Sequence, residues 1–385
     1  MTRQPIRVLT LIENASVTGP ARNVIEFGKL AAHAEPDVPA VEVTVVTYQR
    51  GADESALAMA AREAGLPVAT VAERRRWDTR VFTQLKQVIA ACNPDILETR
   101  NVKSHFLVRL LGLHRKFPWV AWNHGYTATS RLDRAYTQLD RWSLHGAYRV
   151  VTVCGPFADK LAALGVSRDR ITVLHNFVKP FVAPASEEVQ RVRDTLSLQQ
   201  DEAVVLAVGR LSQEKGHADL LRAAAVLDRM NDVPPFRVVV AGDGPEREPL
   251  ARLAATLGID RRVKLAGFQR DTRPYYAMAT VAAVPSYSEG SPNVVLEALA
   301  AGLPIAASAV GGIPEILEEG VTGLMVPARN PEAMAKAIFR LLSDPDLQRR
   351  LGAAGRARAE SNYTLEAYRR ALVRFYQETL AGVSR

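Results

Sequence analysis

Cysteine is almost missing from this chain. Its 385 residues include only Cys92 and Cys154, far apart, without a CxxC pair or a Cys/His ligand spacing. That excludes a disulfide framework and a structural zinc, and it points to a reducing compartment. Long apolar runs are missing too: none approaches the roughly 18 residues that a spanning helix needs. The opening "MTRQPIRVLTLIEN" reads directly as a strand, without an apolar signal region or cleavage site, so a cytoplasmic location is expected. Aromatic residues make up 6% and do not alternate with basic ones, and there is no RNP motif or zinc-finger spacing, so no nucleic-acid partner is expected. No GxxxxGK[ST] loop occurs, and "GDGPE" (242–246) is not GxGxxG, so neither a P-loop nor a nicotinamide fingerprint is present.

What the chain does have is ordinary for globular protein: 48% hydrophobic and 23% charged residues. Its length suits two domains rather than one core. The balance of 49 Lys and Arg against 41 Asp and Glu leaves a net charge of +8. Phosphorylated small molecules and anionic lipid headgroups fit such a surface, and reversible docking on an anionic inner membrane leaflet is expected. The cluster "ERRRW" (73–77) reads as a solvated arginine-rich surface.

Short apolar runs alternate with helical patterns throughout. They read "IRVLTLI" (6–12), "VEVTVVTY" (41–48), "PVATVA" (67–72), "DILET" (95–99), "WVAWN" (119–123), "RVVTVC" (149–154) and "ITVLHN" (171–176), then "AVVLAVG" (203–209), "FRVVVAG" (236–242), "VKLAGF" (263–268), "VAAVPS" (281–286) and "LPIAASA" (303–309). Near-continuous β-branched runs mark strands buried on both faces of a parallel sheet. Regular βα alternation predicts an α/β fold of two doubly wound, Rossmann-like domains. The proline cluster in "FVKPFVAPASEE" (177–188) breaks the rhythm. The expected division is therefore 1–178, a linker region 179–200, and 201–363, with an amphipathic helix at 364–381 returning to the first domain. Ligands of such folds gather at the carboxyl ends of the strands.

Residues with chemistry concentrate at those ends. "GRLSQEKGH" places Arg210 and Lys215 on the loop after strand 203–209, a good phosphate site beside a helix N-terminus. In "SYSEGSPNVVLEALAAG" (286–302), Ser291 suits an N-cap and Pro292 a first helical residue, so a helix is predicted from about 292 to 301. Glu289 precedes that helix and Glu297 lies within it, among apolar neighbours. Carboxylates accept hydrogen bonds from vicinal hydroxyls, so a ribose and a sugar are natural partners. The plainer readings remain open: a buried salt bridge for Glu297 and a loop-edge charge for Glu289. "WNHGYT" puts His124 at a strand end, where a lone histidine is either structural or functional.

Taken together, "GRLSQEKG", "AGDGPERE", "LAGFQRDTRPYYAMA", "SYSEGSPNVVLEALAAGLPI" and "VGGIPEILEEGVTGLMVP" resemble the carboxyl-terminal half of retaining family-4 glycosyltransferases with the GT-B fold (glycosyl transferases group 1). The resemblance implies a nucleotide-diphosphate sugar as donor substrate, with no further cofactor and no metal. It assigns Arg210 and Lys215 to the donor diphosphate and Glu297 to the ribose. Glu289, with Gly290, Ser291, Pro292 and Asn293, would hold the transferred sugar, and Phe268, Gln269 and Arg270 would line the base. In the first half it implies an acceptor-binding domain, with His124 near the sugar. Gly19 would approach the phosphate, although Thr18-Gly19-Pro20 carries one glycine of the family's usual pair. Arg100, Lys103, Ser104 and His105, in "TRNVKSH", are expected at the acceptor-side rim. The catalytic set expected is His124, Glu289, Arg210 and Lys215.

The acceptor that this implies is a glycan, lipid-linked or small-molecule hydroxyl. No Asp-x-Asp pair stands at a strand end, which agrees with charge stabilisation by cations and a helix N-terminus. Rival readings are a nucleotide-sugar epimerase or hydrolase, an NAD-dependent dehydrogenase and a non-catalytic nucleotide-sugar binder. The missing fingerprint disfavours the dehydrogenase.

Overall fold

The computed structural model describes residues 4–13, 19–75, 78–125 and 131–383, with side chains from 136 onward in the last segment. Thr18, Arg76 and Trp77, and Tyr126 and Thr127 of the quoted motifs, lie outside the described residues. The chain divides into two compact units, residues 1–176 with 365–385, and residues 177–364.

The first unit is built on β1 (Ile6–Leu11), β2 (Val41–Arg50), β3 (Val68–Glu73), β4 (Ile96–Thr99), β5 (Trp119–Asn123), β6 (Arg149–Thr152) and β7 (Ile171–Val173). They form one sheet in the order β3-β2-β1-β4-β5-β6-β7, parallel throughout, with Val8 opposite Val43 on one side and Ile96 on the other. The second unit carries β8 (Ala203–Val208), β9 (Phe236–Ala241), β10 (Val263–Gly267), β11 (Val281–Val284), β12 (Ile305–Ser308) and β13 (Leu324–Val326), in the order β10-β9-β8-β11-β12-β13. Both sheets reverse direction of growth beside their first strand, which opens a crevice at the carboxyl edge there.

Strand periodicity explains the runs of apolar residues. Val205 and Ala207 of β8 join one buried cluster with Leu220, Ala224 and Leu341, while Val204 and Leu206 join another with Val295, Leu296 and Leu299. Alternate side chains feed cores on opposite faces, so a polar residue buried in mid-strand, such as Glu98 of β4, must find a partner there. The segment expected as a linker holds a helix, Ser186–Thr195, and belongs to the second unit. The helix Leu365–Val383 packs in the first unit, where Tyr368 and Tyr376 meet Phe27 edge-on, each with ring centroids 6.2 Å apart. The Tyr376 hydroxyl also donates to buried Glu98 at 2.6 Å.

Candidate active site

Two loops of the second unit are tied together at the carboxyl edge of β8 and β11. After β8 the chain runs through Arg210, a short turn at Gln213–Lys215 and Gly216, then enters the helix His217–Leu227. Gly216 has φ +65°, and a Cβ there would strike the carbonyl oxygen of Pro285, just past β11. Only glycine lets the two loops approach so closely. The Tyr287 amide donates to the Glu214 carbonyl at 2.8 Å, and the Tyr287 hydroxyl donates to Asp219 Oδ2 at 2.8 Å. Burial and that carboxylate together push the Tyr287 hydroxyl up to about 12.

At the centre, Lys215 Nζ lies 2.8 Å from Glu289 Oε1, and Ser286 Oγ donates to the same oxygen at 2.6 Å. Glu289 is buried, with 7% of its surface exposed, so its charge is held by a matched cation rather than by water. Glu289 is thus a buried member of an ion pair rather than a loop-edge charge. Glu297 is half-buried and accepts a hydrogen bond from the Tyr276 hydroxyl at 2.9 Å. Burial and Glu297 raise Tyr276 well above its ordinary value, which keeps it a donor.

The helix bearing Glu297 spans Asn293–Ala300, starting one residue later than predicted. Pro292, not Ser291, takes the N-cap position and makes no side-chain cap hydrogen bond. Ser291 is instead buried, as is Pro292, while Gly290 is half-buried. No acidic residue occupies the first turn, which leaves the helix N-terminus electropositive. The loop before it is braced from outside: the Gly312 amide donates to the Gly290 carbonyl at 3.1 Å, and a Cβ on Gly311 would strike the Glu289 carbonyl.

Arg210 is exposed on this edge. His217 is buried, and neither ring nitrogen has a hydrogen-bond partner among the described residues. Its value falls to about 4, first through burial and then through Lys215. Beyond β10, Phe268 is 76% exposed and Arg270 is exposed, whereas Gln269 turns back to donate to the Ala266 carbonyl at 2.7 Å.

The remaining expected residues belong to the first unit. The helix Gly19–Ala31 begins at Gly19. His124 follows β5 and stacks on Trp122, with centroids 5.8 Å apart and planes 18° apart. Its Nε2 is shut off from solvent and has no hydrogen-bond partner among the described residues. Burial first, then Arg100 and His105, depress it to about 3. The acceptor-side expectation needs correction, because Arg100, Ser104 and His105 are buried rather than placed at a rim. The guanidinium of Arg100 is ion-paired with Glu98 at 2.8 Å and stacks 3.8 Å from the Trp122 ring centroid. His105 Nδ1 is 2.6 Å from Asp140, and the Tyr48 and Ser104 hydroxyls share a 3.3 Å hydrogen bond. The polar run after this strand turns Arg100, Ser104 and His105 into the core, while Asn101 and Lys103 stay partly open.

Sequence reasoning missed Ser286, Tyr276 and the Trp122 stack. Ser286 stands three residues before Glu289 and was findable; Tyr276 reaches Glu297 from a separate helix, which no local pattern encodes. Among the described residues, no group of three His, Cys, Asp or Glu could hold a metal, and no helix is long and apolar enough to cross a membrane.

Comparisons with known proteins bear on both units. Residues 39–180 match the family model "Glycosyltransferase Family 4", and residues 188–358 match "Glycosyl transferases group 1". An uncharacterised glycosyltransferase of Methanocaldococcus jannaschii is 31% identical over 65% of this chain and 66% of its own length. The lipopolysaccharide core biosynthesis glycosyltransferase LpsE of Rhizobium meliloti is 33% identical over 54% of this chain and 58% of its own length. The chain thus spans less than two thirds of the length of these curated relatives. Among solved structures, Anabaena HepE in complex with UDP superposes with a TM-score of 0.82 at 18% identity, over 97% of this chain and 100% of that one, which speaks for the fold. With matching models in both units and two parallel Rossmann-like sheets, the chain belongs to the family-4 glycosyltransferases of the GT-B fold.

Proposed function

We propose that the protein moves a hexosyl group, with retention, from a nucleotide-diphosphate sugar to a hydroxyl acceptor in cell-surface polysaccharide, lipopolysaccharide or glycolipid synthesis. The observation that carries this reading is the Lys215–Glu289–Ser286 cluster, set beside exposed Arg210 and the Tyr276–Glu297 pair. A diphosphate leaving group gains charge as the anomeric bond breaks. Arg210, Lys215 and the electropositive start of the helix Asn293–Ala300 answer that charge in place before the reaction begins. Glu289, fixed by two donors, accepts from the sugar hydroxyls, and Glu297, steadied by Tyr276, accepts from the ribose. The acceptor hydroxyl attacks from the face that the diphosphate leaves, and the departing phosphate oxygen takes its proton. The UDP complex of HepE and the lipopolysaccharide role in the name of LpsE support the donor class and the pathway class.

The test is a panel of nucleotide sugars, read by nucleotide release and by the anomeric configuration of the product. One donor is expected to be cleaved and to give a retained anomer, with activity unchanged by a chelator. Lys215→Ala is expected to lower kcat/KM by roughly a hundredfold to a thousandfold, the usual cost of one charge-stabilising donor. An inverted product, a covalent sugar adduct on Glu289, or wild-type turnover by K215A would reject the mechanism.

A further inference from the structure

The first unit holds a cavity of about 600 Å³ at the carboxyl ends of β2, β3 and β4. Its rim is charged and its walls are apolar. Lys103 Nζ lies 2.8 Å from Glu13 and 2.5 Å from Glu73, and Arg50 Nε lies 2.9 Å from the second Glu73 oxygen. Asp78, on the same rim, is held by Arg80 at 2.5 Å. Among the described residues, the two cations that line the cavity, Arg50 and Lys103, are therefore matched already, and three carboxylates line it with them. A phosphate entering here would face Glu13, Glu73 and Asp78 and would have to strip a cation from buried Glu73. A hydroxyl meets no such opposition, because it donates to carboxylates directly.

The walls are Val81, Phe82, Val102, Phe106, Leu107 and Leu139. The apolar surface also continues outward. The Trp142 ring, 48% exposed, has its centroid 6.1 Å from that of Phe106, and Leu110 is 47% exposed on the helix that carries Phe106. A concave apolar lining with a few convergent polar groups is the usual form of a small-molecule site.

We propose that this cavity takes the acceptor, and that the acceptor is an uncharged hydroxylated compound bearing an apolar aromatic or alkyl group, not a free phosphorylated sugar. The proposal rests on the glycosyltransferase reading. In the transfer itself, the acceptor oxygen bonds the anomeric carbon as the bond from that carbon to the diphosphate breaks, and the hydroxyl proton leaves on the diphosphate. The apolar group can belong to a soluble glycoside or to a glycolipid, and the test separates the two.

The full chain is titrated calorimetrically with hexyl, heptyl and octyl glucosides below their micelle concentrations, and with glucose 1-phosphate. In parallel it is sedimented with phosphatidylcholine vesicles, with and without a neutral glucolipid. Affinity for the soluble glycosides is expected to rise about fourfold per methylene. Retention on glucolipid vesicles alone assigns the membrane source. Phe82→Ser and Leu139→Ser, both on half-buried wall positions, are expected to weaken binding at least tenfold while leaving the thermal shift given by UDP unchanged. No binding in either arm, equal binding of glucose 1-phosphate, or wild-type binding by both variants overturns the proposal. Because binding is read without turnover, a failure of donor cleavage counts against the transferase reading alone.

Discussion

Burial holds the His217 ring neutral below the ordinary histidine range, which makes the folding stability depend on pH. His217 is 4% exposed, and its value falls from 6.5 to about 4. Above pH 6.5 both the folded and the unfolded chain hold it neutral, so it adds no pH dependence there. As the pH falls from 6.5 towards 4, only the unfolded chain takes up the proton, and stability is lost progressively. His217→Asn is therefore expected to flatten the slope of unfolding free energy against pH in that window by up to about one proton, or roughly 1.4 kcal/mol per pH unit. Urea titrations between pH 4.5 and 7.5 measure it, and an unchanged slope would mean that the ring is not desolvated. At this scale Arg210, Lys215, Glu289 and Glu297 were legible, because each follows a strand or enters a helix. The pairing was not: that Lys215 would meet Glu289, 74 positions away, depends on two loops brought together by the fold of the sheet.

At the level of elements, glycine decides whether the loop from 285 to 292 keeps its shape. Gly311 has φ +56°, and a Cβ there would strike the Glu289 carbonyl. Gly258, in the same unit, has φ +71° with nothing within 4 Å of a Cβ. Both substitutions to alanine incur the left-handed backbone cost of about 1–2 kcal/mol, but only Gly311→Ala adds a collision with rigid backbone beneath Glu289. G311A is expected to lower the melting temperature more than G258A and to raise KM for the donor, which G258A leaves alone. Equal effects of the two in calorimetry and kinetics would show that the loop relaxes freely. The strands themselves could be read from the β-branched runs, with one exception. β13, only Leu324–Val326, is an edge strand inside "GVTGLMVP" and is too short to show a period. The helix start was misplaced because Ser291 and Pro292 carry cap-like chemistry, yet packing buries both and the N-cap position falls to Pro292.

For the whole molecule, the chain order and the spatial grouping disagree, and the closing helix bears the consequence. Leu365–Val383 belongs with residues 1–176 although the second unit intervenes. Its amphipathic stripe is legible in "TLEAYRRALVRFYQETL", but the stripe does not say which polar group waits beneath it. Tyr376 donates to Glu98, which also receives Thr10 at 3.1 Å and Arg100 at 2.8 Å, and Arg369 reaches Glu35 and the His33 carbonyl. Removing the helix would strip Phe27 of two ring contacts and leave Glu98 a hydrogen bond short in a newly wetted core. Each of these partners belongs to the first unit. A chain ending at residue 364 is therefore expected to lose the unfolding transition of the first unit while the second still melts cooperatively, which differential scanning calorimetry resolves. The milder Tyr376→Phe removes only the hydrogen bond to a buried charge, a loss of about 1.5–3 kcal/mol, and should lower the first transition without abolishing it. If truncation shifted both transitions together, the two units would unfold as one, and the assignment of this helix to the first unit's stability would fail.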